Sequence, residues 1–208
     1  MTDSLASVAD QRVLPVVTVE DIGVIDELGR ALERAGAKTV EITLRSDVAA
    51  DAIATLAGAG FVVGAGTVRS IEQLHAAATA GATFVVSPGL DRTIVERCRS
   101  LGLPVMPGIA TASELSEALS LGVEVVKLFP AETIGGVGLI RALSGPFPEA
   151  RFVPTGGLDA KNSADYLALP QVVAVGGSWM VAPSLLAAKR WDDVERLTAE
   201  ALALGPAA

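Results

Sequence analysis

The feature that most constrains this chain is an alternation that runs from one end of the sequence to the other. Short runs rich in β-branched residues fall at 13–19, 39–44, 61–65, 83–87, 104–107, 123–128, 151–154 and 172–175, their starts roughly 20 to 28 residues apart. The intervals are rich in Ala, Leu and Glu with helical periodicity, most clearly at 49–59, 71–80 and 94–101. Several end on a glycine just ahead of the next strand, at Gly36, Gly60, Gly81, Gly102 and Gly122. That is the usual place for a residue of positive φ closing a helix, so these glycines read as caps.

Eight strand–helix units in strict alternation imply a parallel sheet with right-handed crossovers, and eight suffice to close a (β/α)8 barrel. A doubly wound open sheet is the alternative. The barrel is favoured because polar, chemistry-bearing residues follow nearly every strand, whereas an open sheet gathers them at one switch point. The expected fold class is therefore α/β, a single (β/α)8 TIM barrel domain over residues 1–208, with an extra N-terminal helix within 1–12 covering its bottom. Half of the 208 residues are hydrophobic, enough for one large core, and no break in composition marks a second domain.

Composition also narrows the function. A net charge of -8 argues against a nucleic-acid partner, since such proteins use basic surfaces to release counterions. The N-terminus lacks a basic region followed by an apolar stretch, and no window approaches a membrane span; a cytoplasmic protein with no membrane partner is expected. Cys98 is the single cysteine and His75 the single histidine. No intrachain disulfide, cysteine zinc cluster or histidine-rich metal site can be built from them, and both read as ordinary helix residues. Neither a metal nor a cofactor is expected.

Polar residues inside apolar strands are more telling. Lys127 is embedded in Val123-Glu124-Val125-Val126-Lys127-Leu128-Phe129-Pro130. A buried ammonium is costly unless paired or neutralised, and a desolvated neutral amine can attack a ketone to form a Schiff base. The bland alternatives are a strand-end cap or a pair with Glu124. In Val40-Glu41-Ile42-Thr43-Leu44-Arg45 the side chains alternate, so Glu41, Thr43 and Arg45 share one face and Ile42 and Leu44 the other. If the apolar face meets helices, Glu41 points into the barrel and Arg45 stands at its C-terminal rim, where barrel active sites lie. A structural ion pair or an exposed edge strand is the competing reading. An inward Glu41 near an inward Lys127 would supply a proton shuttle beside a nucleophile. Thr67, Pro88 and Thr111 also follow strands; Thr67 reads either as a carboxylate ligand or as a helix N-cap.

Two glycine pairs follow the last two strands, in Pro154-Thr155-Gly156-Gly157 and Val175-Gly176-Gly177-Ser178-Trp179. At those positions backbone N–H groups, helped by the positive end of a following helix and by the Ser178 hydroxyl, suit a phosphate. Gly64-Ala65-Gly66 lacks the rest of a dinucleotide fingerprint.

In order, Val40–Arg45, Gly64-Ala65-Gly66-Thr67-Val68, Ser87-Pro88-Gly89, Pro107-Gly108, Lys127-Leu128-Phe129-Pro130-Ala131-Glu132, Pro154-Thr155-Gly156-Gly157 and Gly176-Gly177-Ser178-Trp179 resemble the 2-keto-3-deoxy-6-phosphogluconate (KDPG) aldolase family. That family includes 4-hydroxy-2-oxoglutarate (KHG) and phosphogalactonate-type aldolases, and the resemblance spans nearly the whole chain. It implies a class I aldolase, usually a homotrimer, in which Lys127 forms the Schiff base and Glu41 is the acid/base. It further implies that Arg45, Thr67, Pro88 and Phe129 hold the pyruvate end of a keto-acid phosphate substrate, while Thr155, Gly156, Gly157, Gly176, Gly177 and Ser178 bind its phosphate. Thr18 departs from members that carry arginine at the end of the first strand. Rival readings are another phosphate-binding barrel enzyme, such as a sugar-phosphate epimerase or a thiazole/thiamine-type synthase, and a non-catalytic barrel that binds a phosphorylated ligand or a partner protein.

Overall fold

A computed structural model describes residues 2–123 and 125–204. Its strands are β1 (Val13–Val17), β2 (Thr39–Thr43), β3 (Val62–Gly66), β4 (Phe84–Val86), β5 (Val105–Met106), β6 (Gly108–Ile109), β7 (Val125–Leu128), β8 (Arg151–Pro154) and β9 (Val175–Gly177). Helices alternate with them: α1 (Asp3–Gln11), α2 (Ile25–Arg34), α3 (Ala49–Gly58), α4 (Ile71–Thr79), α5 (Arg92–Ser100), α6 (Ala112–Ser120), α7 (Gly136–Ser144), α8 (Ser163–Leu167), α9 (Pro183–Ala187) and α10 (Trp191–Leu202). All strand pairs are parallel, in two sheets ordered β5-β4-β3-β2-β1-β9 and β6-β7-β8. The five cap glycines have φ between 68° and 93°, the left-handed closure expected of them.

Two of the expected strands differ in detail. The run at 104–107 is broken at Pro107, which has no N–H for a ladder. On one side β5 stays with β4, and on the other β6 pairs with β7, while the Pro107 carbonyl accepts from the Lys127 N–H at 2.9 Å. The last strand starts at Val175 rather than at 172. The carbonyls of Val172 and Val173 are taken by the Arg12 guanidinium, at 2.9 and 3.2 Å, so this stretch makes only a bridge to Phe152.

Alternation along the strands divides the core into two layers. Val13, Ile42, Val63, Val85, Val126 and Phe152 pack with helix residues such as Leu28, Leu32, Ile53, Leu74 and Leu115. Leu14, Phe84, Val86, Met106, Val125 and Val153 form a separate cluster from the opposite faces, and α1 contributes Val8 to it. Hydrogen bonds tie α1 to the starts of the strands: Ser4 Oγ donates to the Thr83 carbonyl at 3.1 Å, and the Gln11 amide nitrogen donates to those of Val13 and Thr39 at 2.9 and 2.7 Å. Helix α1 is thus bonded to the ends of the strands opposite their C-termini.

Glycine makes that inner cluster possible. A Cβ at Gly64 would stand 2.1 Å from the Phe84 ring, and Phe84 is fully buried. We expect Gly64→Ala to lower stability by about 1–3 kcal/mol through overpacking, read as a lower denaturant midpoint with an unchanged slope. A midpoint equal to that of the wild type would show that Phe84 can move aside.

Candidate active site

Strand β2 places Glu41 and Thr43 on one face, each 1% exposed, and turns Val40 and Ile42 to the helix layer. On β7, Lys127 is 6% exposed between Gly108 and Val153 of the neighbouring strands. The Lys127 ammonium lies 3.4 Å from Glu41 Oε1, joining residues 86 apart in sequence. Its nitrogen also sits 5.3 Å from the centroid of the Phe129 ring. Lys127 is thus neither a strand-end cap nor a surface residue; Glu124, its other candidate partner, lies outside the described residues. A Cβ at Gly66 would stand 2.2 Å from Glu41 Oε1. Gly64 and Gly66 therefore make room for Phe84 and for the Glu41 carboxylate.

The pair opens into a cavity of about 320 Å³ at the C-terminal ends of the strands, a volume suited to a small metabolite. Its lining includes Glu41, Arg45, Lys127, Phe129, Thr155, Gly156, Gly157, Gly176, Gly177 and Ser178, so ten residues singled out from the sequence meet in one place. Val16, Thr18, Thr43, Leu158, Val181 and Pro183 complete the wall. Thr18 Oγ1 and Thr43 Oγ1 are hydrogen-bonded at 2.8 Å. Alternation in Val16-Val17-Thr18 would have flagged two of these as inward.

Three other candidates sit differently. Thr67, at φ 58°, accepts from Arg45 Nε at 3.2 Å and so meets the cavity through Arg45. It is not a helix cap, since Ser70 caps α4 by accepting from the Gln73 N–H. Pro88 does not line the cavity; its carbonyl occupies the space a Cβ at Gly108 would need, 2.2 Å away. Thr111 caps α6 in a reciprocal box with Glu114.

In the glycine loops Gly156 and Gly157 have φ of 98° and 79°. Among the described residues the Gly157 N–H meets no protein acceptor. A Cβ at Gly176 would stand 2.4 Å from Thr155 Oγ1, and one at Gly177 would overlap the Trp179 ring. The expected help from a following helix is not met: α8 has five residues, and the turn of helix after Ser178, Trp179–Val181, has three. An anion here would rest on loop N–H groups and hydroxyls, because so short a helix carries little dipole.

Cys98 and His75 are structural. Burial pushes the Cys98 thiol up to about 11, which leaves it unreactive on α5. His75 accepts from Arg97 Nε at 3.0 Å on an exposed helix face. Among the described residues no three His, Cys, Asp or Glu side chains gather to hold a metal ion, and no helix is long and apolar enough to cross a membrane.

This arrangement has close counterparts. The family model "Aldolase: KDPG and KHG aldolase" matches residues 5–197. A 2-dehydro-3-deoxy-phosphogluconate aldolase of Treponema pallidum is 46% identical over 193 residues, covering 92% of each chain. The crystal structure of KDPG aldolase from Legionella pneumophila, with pyruvate captured at low pH as a covalent carbinolamine intermediate, superposes with a TM-score of 0.93 at 37% identity, over 96% of this chain and 98% of that one. The KDPG aldolase of Zymomonas mobilis with 3-phosphoglycerate gives a TM-score of 0.91 at 35% identity, over 99% and 97%.

Proposed function

This chain belongs to the KDPG and KHG aldolase family, and from that premise we propose that it cleaves KDPG to pyruvate and glyceraldehyde 3-phosphate through a Schiff base on Lys127, with KHG as a second substrate giving pyruvate and glyoxylate. The observation that carries this reading is the buried contact of Lys127 with Glu41 at 3.4 Å inside an open cavity. Removing two charges from water is costly, and hydrophobic residues of similar volume would pack at least as well. Chemistry accounts for keeping them.

The steps follow from the groups present. The Lys127 amine adds to the C2 carbonyl, and loss of water from the carbinolamine leaves an iminium. Glu41 takes the C4 hydroxyl proton, directly or through a water. The C3–C4 electron pair then moves into the iminium, giving an enamine, while C4 becomes the aldehyde of glyceraldehyde 3-phosphate. The proton returns to C3, and addition of water to the iminium frees pyruvate and the amine. In this reading Arg45, steadied by Thr67, clamps the keto-acid carboxylate and Phe129 walls the pyruvate methylene, while Pro88 acts only through the backbone beside Gly108.

For the aldehyde half, Thr155, Gly156, Gly157, Gly176, Gly177 and Ser178 form the phosphate site in this reading. The free N–H group of Gly157 supports it. At Gly157 any side chain would meet Glu132, 2.7 Å away, so Ser178→Ala is the cleaner probe. Loss of one charge-assisted hydrogen bond should lower kcat/KM for KDPG roughly tenfold and leave KHG little changed. Equal losses on both would move the phosphate elsewhere. Steady-state comparison of KDPG, its galactonate epimer and KHG tests the substrate assignment; a preference for the epimer would replace it with the phosphogalactonate-type reaction.

The same reading closes the strands into a full (β/α)8 barrel with α1 as its extra N-terminal helix, a single domain over residues 1–208. The bridges Phe152–Val172 and Thr155–Gly176 support closure between β8 and β9, and the break at Pro107 between β5 and β6 is a single residue wide. A homotrimer in the cytoplasm is the assembly that the family resemblance implies.

A further inference from the structure

Behind the Gly156–Gly157 loop lies a pair of side chains for which the aldol chemistry has no use. Tyr166, on α8, is 1% exposed, and its hydroxyl donates to Oε1 of Glu132, five residues beyond Lys127. Burial, and then that bond, raise the Tyr166 pKa, so the hydroxyl remains a donor across the working range. Two glycines give the pair its space. A Cβ at Gly157 would stand 2.7 Å from Glu132 Cβ and 2.9 Å from its Cγ, whereas one at Gly136 would stand 2.7 Å from the Tyr166 hydroxyl and 3.3 Å from Glu132 Oε1. The Glu132 side chain is therefore oriented. Its methylene stem backs the loop, and its carboxylate is held on the Gly136 side. The Glu132 N–H donates to the Gly156 carbonyl at 3.2 Å and that of Ala131 to the Thr155 carbonyl at 2.9 Å, so the residue is fixed to the loop by its backbone.

We propose that Tyr166 is a positioning residue that pins the Glu132 carboxylate away from the anion loop, so that a bound phosphate meets N–H donors and a hydrocarbon stem instead of a negative charge. The inference rests on the phosphate reading of that loop. Loop N–H donors that suit a phosphate suit a carboxylate equally. Glu132 is exposed and has rotatable bonds enough to turn. Released from Tyr166, its carboxylate becomes an internal competitor for the donors and repels the substrate dianion.

A mutant cycle tests this with KDPG and KHG side by side. Tyr166→Phe keeps the buried ring and deletes the donor; it should raise KM for KDPG roughly three- to tenfold with kcat within about twofold and KHG unaffected. Adding Glu132→Gln, which removes the charge and keeps the shape, should return KM for KDPG to the wild-type value. A simple packing role for Tyr166 does not yield that rescue. An unchanged KM in Tyr166→Phe, a double variant that keeps the defect, or equal losses on both substrates overturns the proposal. Ser178→Ala separates the two levels: if it is selective for KDPG while Tyr166→Phe is silent, only the pinning role falls, and if it affects both substrates alike, the phosphate reading falls and takes the pinning role with it.

Discussion

Lys127→Ala should lose turnover of KDPG and of KHG alike, by about 10⁵-fold or more, the scale on which removal of a covalent nucleophile acts. It should also unfold more easily. Glu41, 1% exposed, is left without its cation, and an unpaired buried charge costs about 3 kcal/mol or more. The double variant Lys127→Ala/Glu41→Gln, in which neither charge remains, should recover most of that stability and none of the activity. This contrast separates a pair kept for chemistry from one kept for stability. Measurable turnover by the single variant would show that another amine can serve.

Glu41→Gln should slow cleavage by roughly 10²–10⁴, the range for a positioned acid/base. Since Gln cannot carry the proton between enamine and solvent, exchange of pyruvate methyl protons with deuterium should slow in step, while Lys127 still forms some pyruvate adduct. Exchange at the wild-type rate would assign the proton transfer to a different group.

Much of this site can be read from the sequence because the side chains of a strand alternate. Glu41 and Thr43, two apart within Val40–Arg45, must share a face, and Lys127 in an otherwise apolar run is conspicuous wherever the strand is buried. The capping glycines are legible because a helix that stops before a strand needs a residue of positive φ. What stays hidden depends on contacts between distant parts of the chain. The late start of β9 follows from Arg12, 160 residues away, taking the carbonyl of Val172. The Tyr166–Glu132 pair spans 34 residues and gives no periodic signal. Pro107 ends a strand in the sequence pattern, but only the pairing of β5 with β4 and of β6 with β7 shows that it divides the two sheets. Thr67 could have been a cap or a ligand; Ser70, three residues later, takes the cap and leaves Thr67 for Arg45.

The most direct measurement is reductive trapping. The protein is incubated with pyruvate and borohydride, digested, and the modified peptide identified by mass. Reduction of the imine should fix one pyruvate-derived adduct on the peptide containing Lys127, and Lys127→Ala should give none. The chain's other lysines are Lys38, Lys161 and Lys189; an adduct confined to these, or a wild-type protein that stays unmodified while cleaving KDPG, contradicts a Schiff base on Lys127.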